Sequence, residues 1–289
     1  MKRSLLVNSM DGGSEGEFSS VNAVDAGWQY LNMSVYRLSS GSSRRGNTGG
    51  YELVHVILGG RCTIETSAGT FAGIGRRPNV FGGLPYALYL SLNTDYLITA
   101  ETDNTEVATC WVPAESAFPA RLITPADAHI ELRGGENASR QITSIIPPGF
   151  PCQRIVCVEV YTPGGNWSSY PPHKHDVHRV SEDGSLLEAD LEEIYFYKFD
   201  RPEGYAYQRV YTDDRSLDEL MLAQNHDAVL VPEGYHPVVS AHGYTTYYCN
   251  FLAGSAQSLA NSDDPAYAWV KSSWKVIDPR LPIVTHADS

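Results

Sequence analysis

Positive charge is scarce in this chain: 21 Lys and Arg stand against 34 Asp and Glu in 289 residues, a formal net charge of −13. With no basic block anywhere, neither a nucleic-acid surface nor an anionic-membrane surface is expected. Long apolar runs are missing as well. None approaches the roughly 20 residues of a transmembrane helix, and Leu5-Leu6-Val7 is too short a stretch for a secretory signal. The five cysteines (Cys62, Cys110, Cys152, Cys157, Cys249) are odd in number, scattered and without a Cys-x-x-Cys pair. They read as reduced, buried thiols rather than a disulfide framework. A cytoplasmic location is the expectation. Helical signals are weak too: one short helix after residue 255 is expected, and no helix-turn-helix pattern occurs.

What the chain has is turns and β-formers. Gly (25) and Pro (17) punctuate runs rich in Val, Ile, Tyr and Thr, with turn signals about every 8 to 12 positions, as in all-β sandwiches and barrels. A first series runs from WQYLNMSVYRL through YELVHVILGG to EVATCWVP, and a second from RIVCVEVYTP through LEEIYFYKF to TTYYCNFLAG. Their similar layout predicts two related β-barrels in tandem; a single large sandwich is the alternative. The expected organisation is a loose lead-in at 1–24, a first barrel at 25–120, a connection at 121–150, a second barrel at 151–270 and a tail at 271–289.

The chemistry concentrates in the second series. His173 and His175, two apart on a strand, project from the same face and can reach one ion. Glu193 opens the strand Glu193-Ile194-Tyr195-Phe196-Tyr197, and His236 follows a Pro-x-Gly turn, Pro232-Glu233-Gly234. Three imidazoles and a carboxylate make a plausible set for a divalent transition metal. The polar insert between His175 and Glu193 reads as a loop and offers His178, Glu188, Asp190 and Glu192 as rival ligands. Strand parity does not decide between Glu192 and Glu193.

These residues resemble the cupin superfamily, whose first motif supplies Gly…His-x-His…Glu and whose second supplies Pro-x-Gly…His. The resemblance implies a bicupin of two jelly-roll barrels, one holding a metal. Two departures stand out: the insert at 176–192 where cupins keep only a few residues, and a second motif one residue shorter. The strings GNWSSYPPHKHD, LEEIYFY, QRVYTDDRSLDE, VLVPEGYHPV and NTGGYELVHVILGG are closer still to the 5-deoxy-glucuronate isomerase family of inositol catabolism. Its relative, the 5-keto-4-deoxyuronate isomerase family, shares the same logic. By this resemblance Glu193 rather than Glu192 is the ligand. It also implies an aldose–ketose isomerisation of 5-deoxy-D-glucuronate to 5-dehydro-2-deoxy-D-gluconate through a metal-stabilised enediol. Zinc is the first choice of ion, with manganese, iron or nickel as others.

A sugar-acid substrate needs a cation for its carboxylate, and Arg209 in the strand at 205–211 is the first choice because guanidinium pairs carboxylates bidentately. Its rival reading is an ion pair with Asp213, Asp214 or Glu219. Tyr195 and Tyr211, with Tyr207, are the candidates for relaying a proton, while Lys174 points away from the histidines by parity and reads as solvated. The first series carries Arg44-Arg45-Gly46-Asn47-Thr48 where the second has its His pair, and a lone His55 that reads as a satisfied core histidine. That barrel is expected to be structural. Other functions compatible with the pattern are isomerisation of another uronate, a metal-dependent dioxygenase, or a non-catalytic sugar-binding cupin. A homo-oligomer is compatible with the composition.

Overall fold

The apolar–polar alternation becomes antiparallel strand nearly throughout the computed structural model, which describes residues 4–10, 13 and 15–288. Among the described residues, helix is confined to the single turn Ala23–Ala26 and to short 3-10 segments. The helical segment expected after 255 is one of these, Ala268–Ser273. Among the described residues, no helix is long and apolar enough to cross a membrane.

The chain divides into two β units that draw on interleaved stretches of sequence. The first unit is built from Ser9–His129 with Gly149–Ile155. One of its sheets has six strands in the order Arg121–Ile123, Tyr86–Leu90, Tyr51–Gly59, Thr105–Pro113, Asn32–Leu38, Gly16–Val21. The other has four: Ser43–Asn47, Asp95–Ala100, Cys62–Thr66, Gly69–Ile74. Tyr36, Leu53, Ile57, Leu88 and Val107 from the first sheet share one buried cluster with Cys62, Ile64, Ile74 and Ile98 from the second. The two sheets therefore face each other across a common core, each fully buried aliphatic side chain contributing about 1.5 to 3 kcal/mol. The lead-in at 1–24 differs from expectation in its described part. Phe18 and Val21 are buried, and the strand that carries them pairs with Asn32–Leu38. Residues 1–3, 11, 12 and 14 of that lead-in lie outside the described residues, as does residue 289 of the tail.

The second unit is built from Ile130–Pro148 and Val156–Ile283 with the strand Leu6–Val7. Its large sheet runs Leu6–Val7, Ala228–Val231, Leu186–Phe199, Thr246–Gly254, Val156–Thr162, Arg140–Ile146, His129–Arg133. The expected connection at 121–150 thus carries strands, and Arg140–Ile146 lies against Val156–Thr162. A smaller sheet runs Trp167–Ser168, Val238–Ser240, Tyr205–Tyr211, Asp218–Gln224. Polar contacts join the two inner faces: Tyr197 Oη donates to Gln208 Oε1 at 2.7 Å, and Ser168 Oγ is bonded to Tyr248 Oη.

The segment read as a loop between His175 and Glu193 is a hairpin. Asp176–Val180 pairs with the start of Leu186–Phe199, and Ser181, Asp183 and Ser185 close the turn through their own hydrogen bonds. Ala189 and Leu191 alternate into a small apolar cluster with Val156 and Leu252. A sequence that looks polar overall is a strand on its buried side.

Candidate metal centre

Three separate elements bring the site together. His173 and Lys174 pair with Ser262–Asp263 in a two-stranded ladder. Glu193 sits on the long central strand, in register with Val231 on one side and Leu252 on the other. His236 follows the turn at Gly234, whose φ of +93° is open to glycine and few other residues. Asp176 joins the first and last of these: its carboxylate accepts from the Gly234 N–H at 2.7 Å and lies 3.2 Å from the Lys174 ammonium. Lys174 is not merely solvated, because it also donates to Asp213 at 2.6 Å.

His175, Glu193 and His236 are all buried, and their ligand atoms lie within 4.8 Å of one another. His175 Nε2 is 3.0 Å and His236 Nε2 3.3 Å from the same Glu193 oxygen, Oε2. His173 is half-buried beside this trio, its ring 4.9 Å from that of His236. Each imidazole is oriented by a main-chain carbonyl. The Nδ1 atoms of His173, His175 and His236 face the oxygens of Pro171, Leu191 and Gly234 at 3.3, 3.0 and 2.8 Å. A carbonyl can only accept, so each Nδ1 carries the proton and each Nε2 presents a lone pair.

Three lone pairs and a carboxylate converging in a buried space repel one another unless a cation joins them. The buried His236 Nε2 has no hydrogen-bond partner. Burial pushes the pKa of His173 and His236 down to about 3; the His175 charge adds to this at His173, whereas at His236 burial prevails against the opposing Glu193 charge. For His175 burial acts in the same direction, but the hydrogen bond and charge of Glu193 outweigh it and raise the pKa. Without a metal, a proton between His175 and Glu193 is the cation that remains. This donor set and its second layer of carbonyls suit a borderline divalent metal ion.

The rival ligands are occupied or turned away. Glu188 is buried but accepts from the Asp176 N–H and from Ser262, exposed His178 is bonded to Ser255, and Asp190 and Glu192 lie on the opposite face of the strand from Glu193 and Tyr195.

The cavity above the cluster, about 90 Å3, is lined among others by Arg140, Ser169, His173, Glu193, Tyr195 and Tyr248. Tyr195 is where the sequence placed it. Its hydroxyl is bonded to Ser169 Oγ at 3.0 Å, and burial and then the Glu193 charge raise its pKa well above the ordinary value. Arg209 and Tyr211 are not brought to the cluster. On their strand Gln208 turns inward to Tyr197, so Arg209 turns outward, where it forms a bidentate pair with Asp218 at 2.8 and 2.7 Å. Tyr211 shares that parity and donates to Asp264 at 2.8 Å. Both line a different cavity of about 200 Å3.

A buried cation that faces the cluster is one sequence reasoning missed. Arg140 is 5% exposed, and its Nη1 donates to the carbonyls of Ala138 and Tyr170 at 3.3 and 3.2 Å. Its Nε and Nη2 have no protein acceptor among the described residues, and no carboxylate pairs with it. Burial lowers its pKa only to about 10, so it stays charged at neutral pH. The available signal was parity: Arg140, Ile142 and Ser144 share one face of their strand, and all three line the cavity.

Two facing β-sheets per unit, with imidazoles and a carboxylate turned into one of them, define the class: a tandem double-sheet protein of the cupin type. The chain belongs to the KduI/IolB family, whose model matches residues 5–270. It is 41% identical to the 5-deoxy-glucuronate isomerase of Geobacillus thermodenitrificans over 93% of this chain and 96% of that one. An IolB-like protein from Salmonella typhimurium LT2 superposes with a TM-score of 0.87 at 36% identity, covering 93% of this chain and 99% of that one. Oxalate decarboxylase from Bacillus subtilis shares the fold at a TM-score of 0.60 and 12% identity, over 91% of this chain and 80% of that one.

Proposed function

We propose that this protein is an aldose–ketose isomerase that converts 5-deoxy-D-glucuronate to 5-dehydro-2-deoxy-D-gluconate in inositol catabolism. In this reading His173, His175, Glu193 and His236 hold a divalent ion, zinc being the first choice. The observation that carries it is the donor set: three imidazoles, each held in the Nε2-presenting tautomer by a carbonyl, around one buried carboxylate. The named activity of relatives such as the Geobacillus protein supplies the substrate.

Such an isomerisation moves a proton between adjacent carbons through an enediol. A divalent ion at this place supplies Lewis acidity to the neighbouring carbonyl and hydroxyl oxygens. The rest falls to the chain. Tyr195, kept neutral by burial, is a hydrogen-bond donor and proton source for a substrate oxygen rather than a base. Arg140 takes the part first given to Arg209: its unpaired N–H groups receive the substrate carboxylate and set which end of the sugar faces Glu193. A cavity of about 90 Å3 is tight for a whole hexuronate, so binding displaces rim side chains, among them the exposed Arg133 and Leu259.

The test is proton NMR of the purified protein with 5-deoxy-D-glucuronate in deuterated water, beside a chelated control. Loss of the aldehyde and hydrate signals, growth of the ketose and suppression by chelation are expected. No conversion by metal-replete protein would overturn the substrate; conversion undiminished after full metal removal would overturn the metal's part.

A further inference from the structure

The first unit has its own cavity, of about 280 Å3, between the inner faces of its two sheets. Strand parity turns Tyr36, His55 and Trp111 inward from the large sheet, and Arg44 and Tyr96 inward from the small one. Of these, Tyr36, Arg44, Tyr96 and Trp111 line the space. Where the second unit gathers imidazoles and a carboxylate, this one gathers a guanidinium and aromatic rings. A Cβ on Gly46 would overlap the Tyr96 hydroxyl. The bare glycine is what allows that ring to lie against the strand and leave the cavity clear.

Several polar groups here are left without protein partners. The Tyr36 hydroxyl is buried and makes no hydrogen bond of ordinary geometry, although Thr109 stands beside it. The Thr109 hydroxyl is already bonded to His55 Nδ1 at 2.8 Å, and His55 Nε2 has no partner either. His55 is therefore half satisfied, not the fully satisfied core residue expected. The Arg44 guanidinium stacks 4.4 Å over the Tyr36 ring. Its Nη2 makes only long contacts, to Glu17 at 3.3 Å and Ser34 at 3.5 Å. Its Nε and Nη1 have no protein acceptor among the described residues. Of these groups the Tyr36 hydroxyl is both buried and in the cavity lining, and Arg44, with a side chain 41% exposed, presents its free N–H groups to the same space. A buried polar group left unpaired is costly, and its retention beside a cavity and a cation points to a ligand that pairs both.

The chemistry of the lining selects that ligand. A volume near 300 Å3 is at the lower end of small-molecule sites, the size of one sugar and not of a nucleotide. One arginine already shared with Glu17 suits a single carboxylate better than a doubly charged phosphate. Aromatic faces beside hydroxyl groups match the mixed apolar and hydroxyl surface of a sugar ring. We propose that this cavity is a second, metal-independent site for a small polyhydroxylated carboxylate of hexuronate size, with Arg44 pairing the carboxylate.

The test uses D-glucuronate as probe and the full chain after chelation, with Arg140→Met removing the guanidinium from the other cavity. Calorimetry and saturation-transfer NMR read binding, and activity is not read, so failure of the proposed isomerisation and failure of this inference are separate results. The chelated Arg140→Met protein is expected to bind D-glucuronate at one site. Adding Arg44→Met weakens that binding at least tenfold, and adding Tyr36→Phe, which removes one oxygen and keeps the ring, weakens it severalfold. Absence of binding to the chelated Arg140→Met protein overturns the proposal, as does binding that neither added substitution changes.

Discussion

Arg140 invites the sharpest perturbation. A guanidinium that is 5% exposed and has no carboxylate partner carries a desolvation cost that its two main-chain carbonyl contacts offset only in part and a bound anion offsets further. Two charge-assisted hydrogen bonds to a substrate carboxylate are worth about 1.5 to 3 kcal/mol each. Replacing Arg140 by Met also relieves the desolvation cost in the free protein, so the net loss is set nearer 3 kcal/mol, roughly a hundredfold in kcat/KM. The informative comparison is between 5-deoxy-D-glucuronate and 5-deoxy-D-glucose, which carries a hydroxymethyl group in place of the carboxylate. Arg140→Met should cost the acid about a hundredfold and the neutral sugar less than about threefold, collapsing the preference between them. Arg140→Lys, with charge but no planar fork, should fall between. Arg140 also holds the carbonyl of Tyr170, just ahead of Pro171-Pro172-His173. If its role is only to support that segment, both substrates lose activity in equal proportion, and that result would refute the reasoning.

Other substitutions and conditions probe the remaining geometry. Glu193→Gln keeps the side-chain shape and removes the carboxylate from the trio, and should weaken zinc binding at least a hundredfold in competition with a chromogenic chelator; His236→Ala should leave the purified protein substoichiometric in metal by elemental analysis. In the chelated protein His236 stays neutral to about pH 3, whereas an unfolded histidine titrates near pH 6.5. Unfolding should therefore become easier as pH falls from about 6.5, by up to roughly 1.4 kcal/mol per unit for this residue. His175, with its pKa raised by Glu193, contributes stability that is lost as pH rises through that pKa. A urea midpoint that does not fall between pH 6.5 and 5 contradicts this assignment. At Gly234 a Cβ would meet the Tyr211 carbonyl oxygen at 2.6 Å, at a φ of +93°, so Gly234→Ala should cost about 1 to 3 kcal/mol. That is a Tm lower by roughly 5 °C with weaker metal binding; an unchanged Tm counts against the strain.

The His173–His175 pair and the turn before His236 were legible because each depends on local geometry: parity on a strand, and a glycine where φ is positive. Choosing Glu193 over Glu192 was not a local matter. The central strand pairs on both sides and is buried on both faces, so neither parity stood out as polar. Arg209 lies away from the cluster for a related reason. In Tyr205–Tyr211 the outward face bears aromatic residues and the inward one carries Gln208, which is acceptable there because Tyr197 and the His236 carbonyl pair it. Arg140 was hidden by topology. Its strand reaches the site by pairing with Val156–Thr162, and no spacing within the chain announces which strands will become neighbours. The insert at 176–192 was polar enough to read as loop, since Ala189 and Leu191 find their apolar partners in distant strands.

The three acceptors that orient the imidazoles belong to the main chain at Pro171, Leu191 and Gly234, and every amino acid has a carbonyl. No single substitution can delete them, as replacing an orienting aspartate would delete its acceptor. The ring tautomers are thus inherited with the path of the backbone. Drift in the surrounding side chains leaves them intact, while a change that bends the chain at any of these three places detunes the ligands together with their supports.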